Sequence, residues 1–457
     1  MMKKMFSAAM LLVMMFVFSS SVLADETEEE VSVSATIVDL GVDCTAEAAY
    51  VVNTDTGRVI YEKNATKKMY PASTTKIMAC ALAMELCPDL STVITVPEDV
   101  WSEFTGMDIS NAGLMGGEEM TLEDLLYCMM LPSANEAAST VAAYFGRDRF
   151  IALMNMKAQE LGCVNTHFTN PHGLHDDDHY TCAYDLYLIT EWAMSIPGFM
   201  DICTQSTHEL AATNMHSART IYTTVKLQDS TTGYYKSYVK GVKTGTTDES
   251  GKCLVSTATQ NDMTYISVLL GCPTETDTRI WSQGSSQFTN ARLIYDWCFE
   301  NLEIDRLVDS DVPVKEIGLE YASDRDYLML YTGSALDTVF NQDATEDAVI
   351  TYEFDVPETV SAPIQAGDVI GTAKVYSDGQ YIGDVDLVSR EDIGFSYFVY
   401  VMDKISAALT SPPAYIAYAL ILICVGGYCY VMLVVLPKQI KAKEKAKKRR
   451  NQSGRKV

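Results

Sequence analysis

The stretch "YPASTTKIMA", residues 70–79, places a serine and a lysine three positions apart at the start of an apolar run. Pro71 suits the first turn of a helix, where its missing N–H costs no hydrogen bond. On that helix Ser73 and Lys76 share a face, and Ser73 lies at the positive end of the helix dipole. The stretch is typical of an active-site turn, although a polar helix start would carry the same residues.

The same Ser-x-x-Lys spacing recurs twice, at residues 237–240 and 453–456. The first copy lies in a stretch rich in Tyr and Lys, and the second lies in a basic tail. Neither copy has a proline before it or a buried apolar helix after it, which are the features that favour the copy at Ser73. Context therefore favours Ser73 as the reactive serine.

Two further motifs stand far downstream of Ser73. Residues 133–135 read Ser-Ala-Asn within "LLYCMMLPSANEAASTVA", and residues 243–245 read Lys-Thr-Gly within "YVKGVKTGTTDESGKCLVSTA". Each triplet alone is weak. Together, at a helix start, a loop between helices and a strand, the three motifs form the signature of penicillin-binding proteins and class A β-lactamases.

The chain resembles the low-molecular-mass penicillin-binding proteins that act as serine-type D-alanyl-D-alanine carboxypeptidases. The resemblance covers about residues 45–392 and adds three segments to the motifs. These segments are "FTNPHGLHDDDHYTCAYDL" at 168–186, "VKGVKTGTTDESGKCLVSTA" at 239–258 and "PIQAGDVIGTAKVYSDGQYIGDVDLV" at 363–388. One departure is "SANE", where the family commonly has Gly after the Ser and Asp after the Asn, which leaves the shape of that loop open.

The pattern of the chain agrees with a mixed α+β fold. A hairpin at 48–62 precedes a mainly helical stretch at 70–198, and strands around residues 260–262 precede a final helix. The resemblance implies a transpeptidase-like domain with an antiparallel sheet and a helical subdomain, then a small all-β domain and one C-terminal transmembrane helix. The expected boundaries are a signal peptide at 1–24, an acidic lead at 25–44, the peptidase domain at 45–305, the β domain at 306–392, a linker at 393–413, the membrane helix at 414–436 and a basic cytoplasmic tail at 437–457.

Both ends of the chain point to export and membrane attachment. The start has Lys3 and Lys4 before an apolar core too short for a comfortable span, as in a signal peptide cut after Ala24; an uncleaved anchor is the alternative. Residues 414–436 carry no charge, and the 21 residues after them contain ten Lys or Arg and one Glu. By the positive-inside rule this tail is cytoplasmic, so the catalytic body is expected outside the cell membrane.

Composition narrows the classes of partner. The formal net charge is −27 although the tail is basic, which argues against nucleic acid as a partner. The expected partners are peptidoglycan stem peptides, β-lactam antibiotics as covalent inhibitors, and the membrane. No cofactor is expected. Ten of the twelve cysteines precede the membrane segment; free buried thiols are the simpler interpretation, and disulfides remain open.

The chemistry assigned to the catalytic residues follows from their side chains and from the resemblance. A serine hydroxyl needs a base, and Lys76 can serve if burial and a nearby cation lower its pKa. The resemblance places Lys243 in the same cleft as Lys76, where Lys243 would be that nearby cation. Ser133 would relay a proton to the departing amine, and Asn135 would hold both Lys76 and the substrate amide.

The substrate is expected along the Lys-Thr-Gly strand. Lys243 and Thr244 suit its terminal carboxylate, and Gly245 leaves room at the strand edge. By resemblance, the backbone N–H groups of Ser73 and Thr246 form the oxyanion hole. Arg219 and Arg279 are further candidates for the carboxylate, without a secure alignment.

Rival interpretations concern the reaction and the histidines. A class A β-lactamase needs a Glu-x-x-Leu-Asn motif, and "ELGCVN" at 160–165 has the wrong spacing. A membrane-tethered β-lactam sensor lacks room for a signalling domain in a tail of about 20 residues, and a catalytically inactive wall-binding protein would not need every reacting group. His172, His175 and His179 could ligate zinc, but their segment matches a family loop that needs no metal.

Overall fold

A computed structural model describes residues 44–273, 286–341, 349–377 and 379–453. The predicted signal peptide and all of the acidic lead except Cys44 lie outside the described residues, as does Arg279. The twelve cysteines are free thiols, and nine of those before the membrane segment are buried.

Helices are the main regular structure between the first hairpin and the Lys-Thr-Gly strand, in agreement with the mainly helical stretch predicted at 70–198. A 3₁₀ turn at Ala72–Thr75 leads into the first of them. In chain order the α-helices are α1 Lys76–Leu86, α2 Leu122–Met130, α3 Asn135–Phe145, α4 Arg147–Glu160, α5 Ala183–Ser195, α6 Phe199–Cys203, α7 Ser286–Asn301, α8 Tyr397–Leu409, α9 Pro412–Tyr430 and α10 Leu436–Ser453.

The strands form one sheet in the peptidase part, another in the C-terminal part, and several short pairs. They are β1 Ala48–Asn53, β2 Val59–Lys63, β3 Val93–Thr95, β4 Glu119–Thr121, β5 Thr207–Leu210, β6 Arg219–Tyr222, β7 Val239–Thr247, β8 Gly251–Gln260, β9 Met263–Cys272, β10 Leu302–Val308, β11 Pro313–Glu320, β12 Tyr327–Thr332, β13 Leu336–Asn341, β14 Ile350–Asp355, β15 Thr359–Ser361, β16 Val369–Ser377 and β17 Gln380–Val388.

The first sheet has the order β2-β1-β9-β8-β7 with antiparallel neighbours throughout. Successive residues of β1 are buried on opposite faces, as the period of two in a strand requires. Tyr50 and Val52 pack in the core with α1 and α5, whereas Ala49 and Val51 pack in the core with α7. The sheet therefore separates a helical layer from α7, and β7 lies at its edge.

Helix α1 lies inside the helical layer. All nine residues from Lys76 to Met84 are buried, which confirms the prediction of a buried helix after Ser73. The all-apolar environment suits every residue of this run except the lysine. Burial of that single amine is the structural fact on which the site depends.

The C-terminal β part is a six-stranded sheet with the order β14-β16-β17-β12-β11-β15 around its own apolar core. The expected boundary between residues 305 and 306 lies inside β10. Leu302 and Val339, on the paired strands β10 and β13, pack in the core that contains α7. The expected linker at 393–413 contains α8. After it, the continuous helix Pro412–Lys448 is long and apolar enough to cross a membrane.

Candidate active site

The amine of Lys76 lies among three oxygen atoms. Its side chain is fully buried at the start of α1. Nζ is 2.9 Å from Ser73 Oγ, 2.8 Å from Asn135 Oδ1 and 2.6 Å from the His172 carbonyl oxygen. The serine comes from the 3₁₀ turn before α1, the amide from the first residue of α3, and the carbonyl from the loop before α5. Three separate parts of the chain thus meet at one nitrogen.

The roles of these three partners differ. Asn135 Nδ2 donates to the Ser110 carbonyl at 3.1 Å, which turns its Oδ1 toward Lys76. That oxygen and the His172 carbonyl can only accept, whereas the Ser73 hydroxyl can donate or accept. A neutral amine would give its two hydrogens to the two obligate acceptors. Its lone pair would then be left for the Ser73 O–H, as a base for this serine requires.

Electrostatics favour that neutral amine. Burial holds the pKa of Lys76 well below its usual range, and the charge of Lys243 lowers the pKa further, while Glu136 opposes the shift. Lys243 is also fully buried, and burial lowers its pKa to about 7. Its Nζ donates to the Thr244 carbonyl at 3.2 Å. The second lysine expected near Lys76 is therefore present, and its charge acts on Lys76.

An open cleft of about 280 Å³ runs past the serine. The predicted residues Ser73, Ser133, Thr244, Gly245 and Thr246 all line it. The other predicted residues, Lys76, Asn135 and Lys243, are buried and do not line it. Sequence reasoning missed the remaining lining residues, which are Ser110, Thr224, Lys226, Lys252, Gln287 and Phe288.

Ser133 is held in an unusual backbone conformation. Its φ of 67° lies in the left-handed region, which costs a non-glycine residue on the order of 1–3 kcal/mol. The residue is 4% exposed and stands in the short connection between α2 and α3. In this conformation Ser133 lines the cleft, and the "SANE" loop has a defined shape.

Strand β7 lies directly against the serine turn because residue 245 is glycine. A Cβ on Gly245 would lie 2.9 Å from the Pro71 carbonyl oxygen and 3.0 Å from both the Ala72 Cβ and the Ser73 amide nitrogen. The expected reason for this glycine was space for substrate. The structure adds a second reason, which is the close approach of two backbones. The Thr244 hydroxyl lies 2.6 Å from Thr224 Oγ1 at the same edge.

The loop from residue 168 to residue 179 supports the serine turn from behind. Gly173 has a φ of 84°, and a Cβ there would lie 1.9 Å from the Ala72 carbonyl oxygen. The same carbonyl accepts from Thr75 Oγ1 at 2.9 Å. Ala72 itself has a φ of 47°. The conformation of the turn before Ser73 thus depends on a glycine 100 residues downstream.

His179 completes this support. The Thr169 amide donates to His179 Nδ1 at 3.0 Å, so the ring proton resides on Nε2 and is donated to Thr75 Oγ1 at 2.8 Å. Burial lowers the pKa of His179 to about 3, so the ring stays neutral. Its function here is to hold the turn.

His172 is held by a second network. Its Nδ1 accepts from the Leu174 amide at 3.2 Å, and its Nε2 faces Glu103 Oε2 at 3.8 Å. Burial lowers the pKa of His172 to about 4. Burial would raise the pKa of Glu103, but the nearby His172 ring and hydrogen bonds from Arg147 and Ser139 hold it at about 2. This network holds His172 in place, and the backbone carbonyl of His172 accepts from Lys76.

The three histidines considered for zinc have separate partners. His175 packs edge-on against Tyr70 with ring centres 4.7 Å apart, while His172 and His179 belong to the two networks above. Within the described ranges, no group of three or more His, Cys, Asp or Glu could hold a metal ion.

Two other candidate residues lie away from the cleft. Arg219 is in β6, with its guanidinium 3.7 Å from Glu118 Oε1, and it does not line the cleft. Glu160, the nearest match to a β-lactamase deacylating residue, ends α4 and pairs with Lys157 at 2.9 Å. Neither residue contacts Ser73 or Lys76.

Comparison with known proteins identifies the family. Residues 30–274, more than half of the chain, match the family described as D-alanyl-D-alanine carboxypeptidase. The chain belongs to that family. The predicted family and serine-type enzyme class are therefore confirmed. Residues 306–394 match the C-terminal domain of penicillin-binding protein 5, and the predicted fold class, with its C-terminal all-β domain, is confirmed as well.

Individual members of the family resemble the chain over most of its length. D-alanyl-D-alanine carboxypeptidase DacF of Bacillus subtilis (strain 168) is 26% identical over 405 residues, covering 88% of this chain and 98% of the relative. Penicillin-binding protein 5 from Haemophilus influenzae aligns with a TM-score of 0.60 at 24% identity, covering 77% and 98% of the two chains. The Streptomyces K15 DD-transpeptidase aligns with a TM-score of 0.51 at 28% identity, covering 56% of this chain and 97% of that one.

The support from Gly173 predicts a sharp mutational effect in this carboxypeptidase. We expect Gly173→Ala to slow acylation by a fluorescent penicillin strongly, because the new methyl group would displace the Ala72 carbonyl and the turn that carries Ser73. The control is Gly162→Ala, since Gly162 also has a positive φ of 81° but nothing lies within 4 Å of its Cβ position. Equal acylation rates in the two variants would contradict the proposed support.

Proposed function

We propose that the protein hydrolyses the terminal D-alanine from peptidoglycan stem pentapeptides through an acyl-enzyme on Ser73. The observation that carries this proposal is the 2.9 Å contact between Ser73 Oγ and the fully buried amine of Lys76. In this contact the lone pair of a neutral Lys76 amine faces Ser73, because the two hydrogens of the amine go to Asn135 and the His172 carbonyl. A serine hydroxyl beside such a base is the activated nucleophile of a serine peptidase.

The proposed first half-reaction acylates the serine. Ser73 Oγ attacks the carbonyl carbon of the penultimate D-alanine while its proton moves to Lys76. Negative charge then develops on the carbonyl oxygen, where the N–H groups of Ser73 and Thr246 would stabilise it. The C–N bond breaks, and Ser133 relays the proton held by Lys76 to the amine of the leaving D-alanine, which returns Lys76 to its neutral form. Water completes the cycle by hydrolysing the ester on Ser73.

Substrate orientation would come from the Lys-Thr-Gly strand and the amide of Asn135. The strand is an edge of the sheet, so an extended peptide can align along it. The terminal carboxylate would meet the Thr244 hydroxyl at the cleft surface and the charge of Lys243 behind it. β-Lactams would acylate Ser73 by the same attack and inhibit the enzyme covalently.

Replacement of the nucleophile gives the first test of this mechanism. Ser73→Ala should abolish covalent labelling by a fluorescent penicillin while circular dichroism shows an intact fold. Ser237→Ala is the control, because Ser237 is exposed and begins another Ser-x-x-Lys sequence. Labelling that is lost in Ser237→Ala but kept in Ser73→Ala would show that the wrong serine has been assigned.

The role of Lys243 can be separated from that of the base by pH and by esterification. A pKa near 7 means that Lys243 is charged below this pH and neutral above it. We expect kcat/KM for a D-Ala-D-Ala peptide acid to decline above about pH 7, and the same decline to be absent for the peptide ester. Lys243→Ala should likewise harm hydrolysis of the acid far more than hydrolysis of the ester. Equal losses on both substrates would refute a role in binding the carboxylate.

We further propose that the body lies outside the cell membrane, held by the helix that begins at Pro412. Support comes from the length and composition of this helix and from the basic residues at its end. The signal peptide would deliver the chain, and the C-terminal β part would raise the cleft above the bilayer toward the peptidoglycan.

Helix α8 supports a position of the protein close to the outer face of the cell membrane. One face is tied to the β part, since Tyr400 packs on Tyr321 with ring centres 5.1 Å apart and Lys404 Nζ lies 3.2 Å from the Tyr321 hydroxyl. The opposite face exposes an apolar stripe at helical spacing just before the spanning helix begins. Its residues are Phe398, Met402, Ile405 and Leu409. Such a stripe suits the membrane interface.

Truncation tests both parts of this topology. A protein spanning residues 25–394 should be soluble and keep its peptidase activity, because every proposed catalytic residue lies upstream of residue 250. Extension to residue 409 should add binding to lipid vesicles through α8, and charged replacements at Phe398 and Met402 should remove that binding. In intact cells, added protease should cleave the body and spare the tail. Protection of the body until the membrane is permeabilised would refute the orientation.

A further inference from the structure

A second ionisable group is buried beside the partner of the base. Glu136 follows Asn135 in the first turn of α3, and its side chain is fully buried. Asn135 Oδ1 lies 2.8 Å from Lys76 Nζ. The carboxyl group therefore belongs to the residue that follows Asn135, a direct contact of the catalytic amine. Glu136 is also one of the two residues at which "SANE" departs from the family pattern.

The two oxygens of Glu136 have different surroundings. Oε1 accepts from the Ala112 amide at 2.6 Å and lies 3.4 Å from the Leu114 amide. Oε2 is buried and has no hydrogen-bond partner among the described residues. Leaving a buried carboxylate oxygen unpaired is costly.

Glu136 and Asn135 bind the same segment. The backbone N–H and the Nδ2 of Asn135 both donate to the Ser110 carbonyl, at 3.0 and 3.1 Å. Ser110 in turn lines the cleft beside Ser73. Two successive side chains of α3 thus fasten segment 110–114, whose Ser110 lines the cleft, to the helix whose first residue binds the catalytic amine.

The titratable groups near Lys76 lie on several of the elements packed around it. Lys243 on β7 is the second buried lysine, and the His172 ring in the loop before α5 is neutral near pH 7 because burial lowers its pKa to about 4. The Cys128 thiol of α2, which also faces Glu136, stays protonated because burial raises its pKa. Glu103, with a pKa of about 2, is a carboxylate that faces the His172 ring. Glu136 acts on Lys76, since its charge raises the pKa of Lys76 against the effect of burial. Burial raises the pKa of Glu136 itself, and backbone N–H groups, including those of Ala112 and Leu114, oppose that shift.

We propose that Glu136 is a positioning residue for acylation, which fastens segment 110–114 to Asn135 and stabilises the ammonium that forms when Lys76 takes the Ser73 proton. This inference rests on the proposed function of Lys76 as the base. Without the negative charge, the protonated amine would be left in an apolar interior near a second lysine. Acylation would then pass through a state of higher energy.

The test is Glu136→Gln in the full-length protein. Glutamine keeps the shape and an oxygen for the Ala112 amide but removes the charge. We expect the acid limb of the pH profile for acylation by a chromogenic cephalosporin to move to lower pH, because Lys76 holds its proton less tightly. On the plateau the rate constant should fall by about tenfold, short of the about 10²–10⁴-fold loss expected for removal of the base.

The matched control is Asp185→Asn. Asp185 on α5 is also fully buried, and its Oδ1 also has no hydrogen-bond partner in the described part of the chain, while Oδ2 accepts from the Asn165 amide at 2.7 Å. It does not belong to the cleft. Asp185→Asn should alter the melting temperature without moving the acid limb.

Each outcome has a defined meaning. A Glu136→Gln protein that loses thermal stability like Asp185→Asn but keeps the acid limb and the plateau would overturn the inference. Glu136→Asp, which keeps the charge at shorter reach, should keep the acid limb in place even if segment 110–114 loosens and KM rises. An acid limb displaced in Glu136→Asp as far as in Glu136→Gln would also overturn it. Acylation that survives in Lys76→Ala would instead refute the proposed base.

Discussion

Burial of one amine is the constraint on which the rest of this structure depends. Lys76 is placed in the apolar interior of the helical layer, where a charged ammonium is unfavourable. It nevertheless needs partners for its N–H groups, and it receives two obligate acceptors, the Asn135 amide oxygen and the His172 carbonyl. The third direction leads to Ser73, and through this residue to the cleft.

The surrounding networks make sense as supports for these three contacts. Ser110 turns the amide of Asn135 so that its oxygen meets the amine. Glu103 holds the ring of His172, and His179 together with Gly173 holds the turn before Ser73. Much of the strain in the peptidase part lies at the same place, with positive φ angles at Ala72 and Ser133. Such strain is expected where a reactive group must be held in one position.

Sequence reasoning found the parts of the site whose chemistry is local. Ser73 and Lys76 lie one helical turn apart, so their contact could be predicted from spacing alone. The apolar run after them predicted a buried helix. The three motifs together led to the family. The β-hairpin at residues 48–62 and the strands around residues 260–262 could also be predicted from the sequence. In both places turn residues separate two stretches with the residue pattern of β-strands.

What the sequence could not supply are contacts between distant segments. Ser110 and Thr224 enter the cleft from connections without a periodic pattern, and the register that brings Lys252 opposite Thr246 depends on the β7–β8 pairing. The burial of Lys243 is likewise a property of packing. Glu136 was noticed only as a departure in a loop motif, since its buried partners at residues 112 and 114 are more than 20 positions away.

The central claim is that burial keeps Lys76 neutral, with its lone pair available to Ser73. The most direct measurement is an NMR titration of the lysine side-chain ¹³Cε and ¹⁵Nζ resonances, with the Lys76 signal assigned by comparison with Lys76→Arg. The account predicts a signal that titrates far below the usual lysine pKa of about 10.4. A Lys76 signal that titrates with the exposed lysines of the basic tail would contradict it.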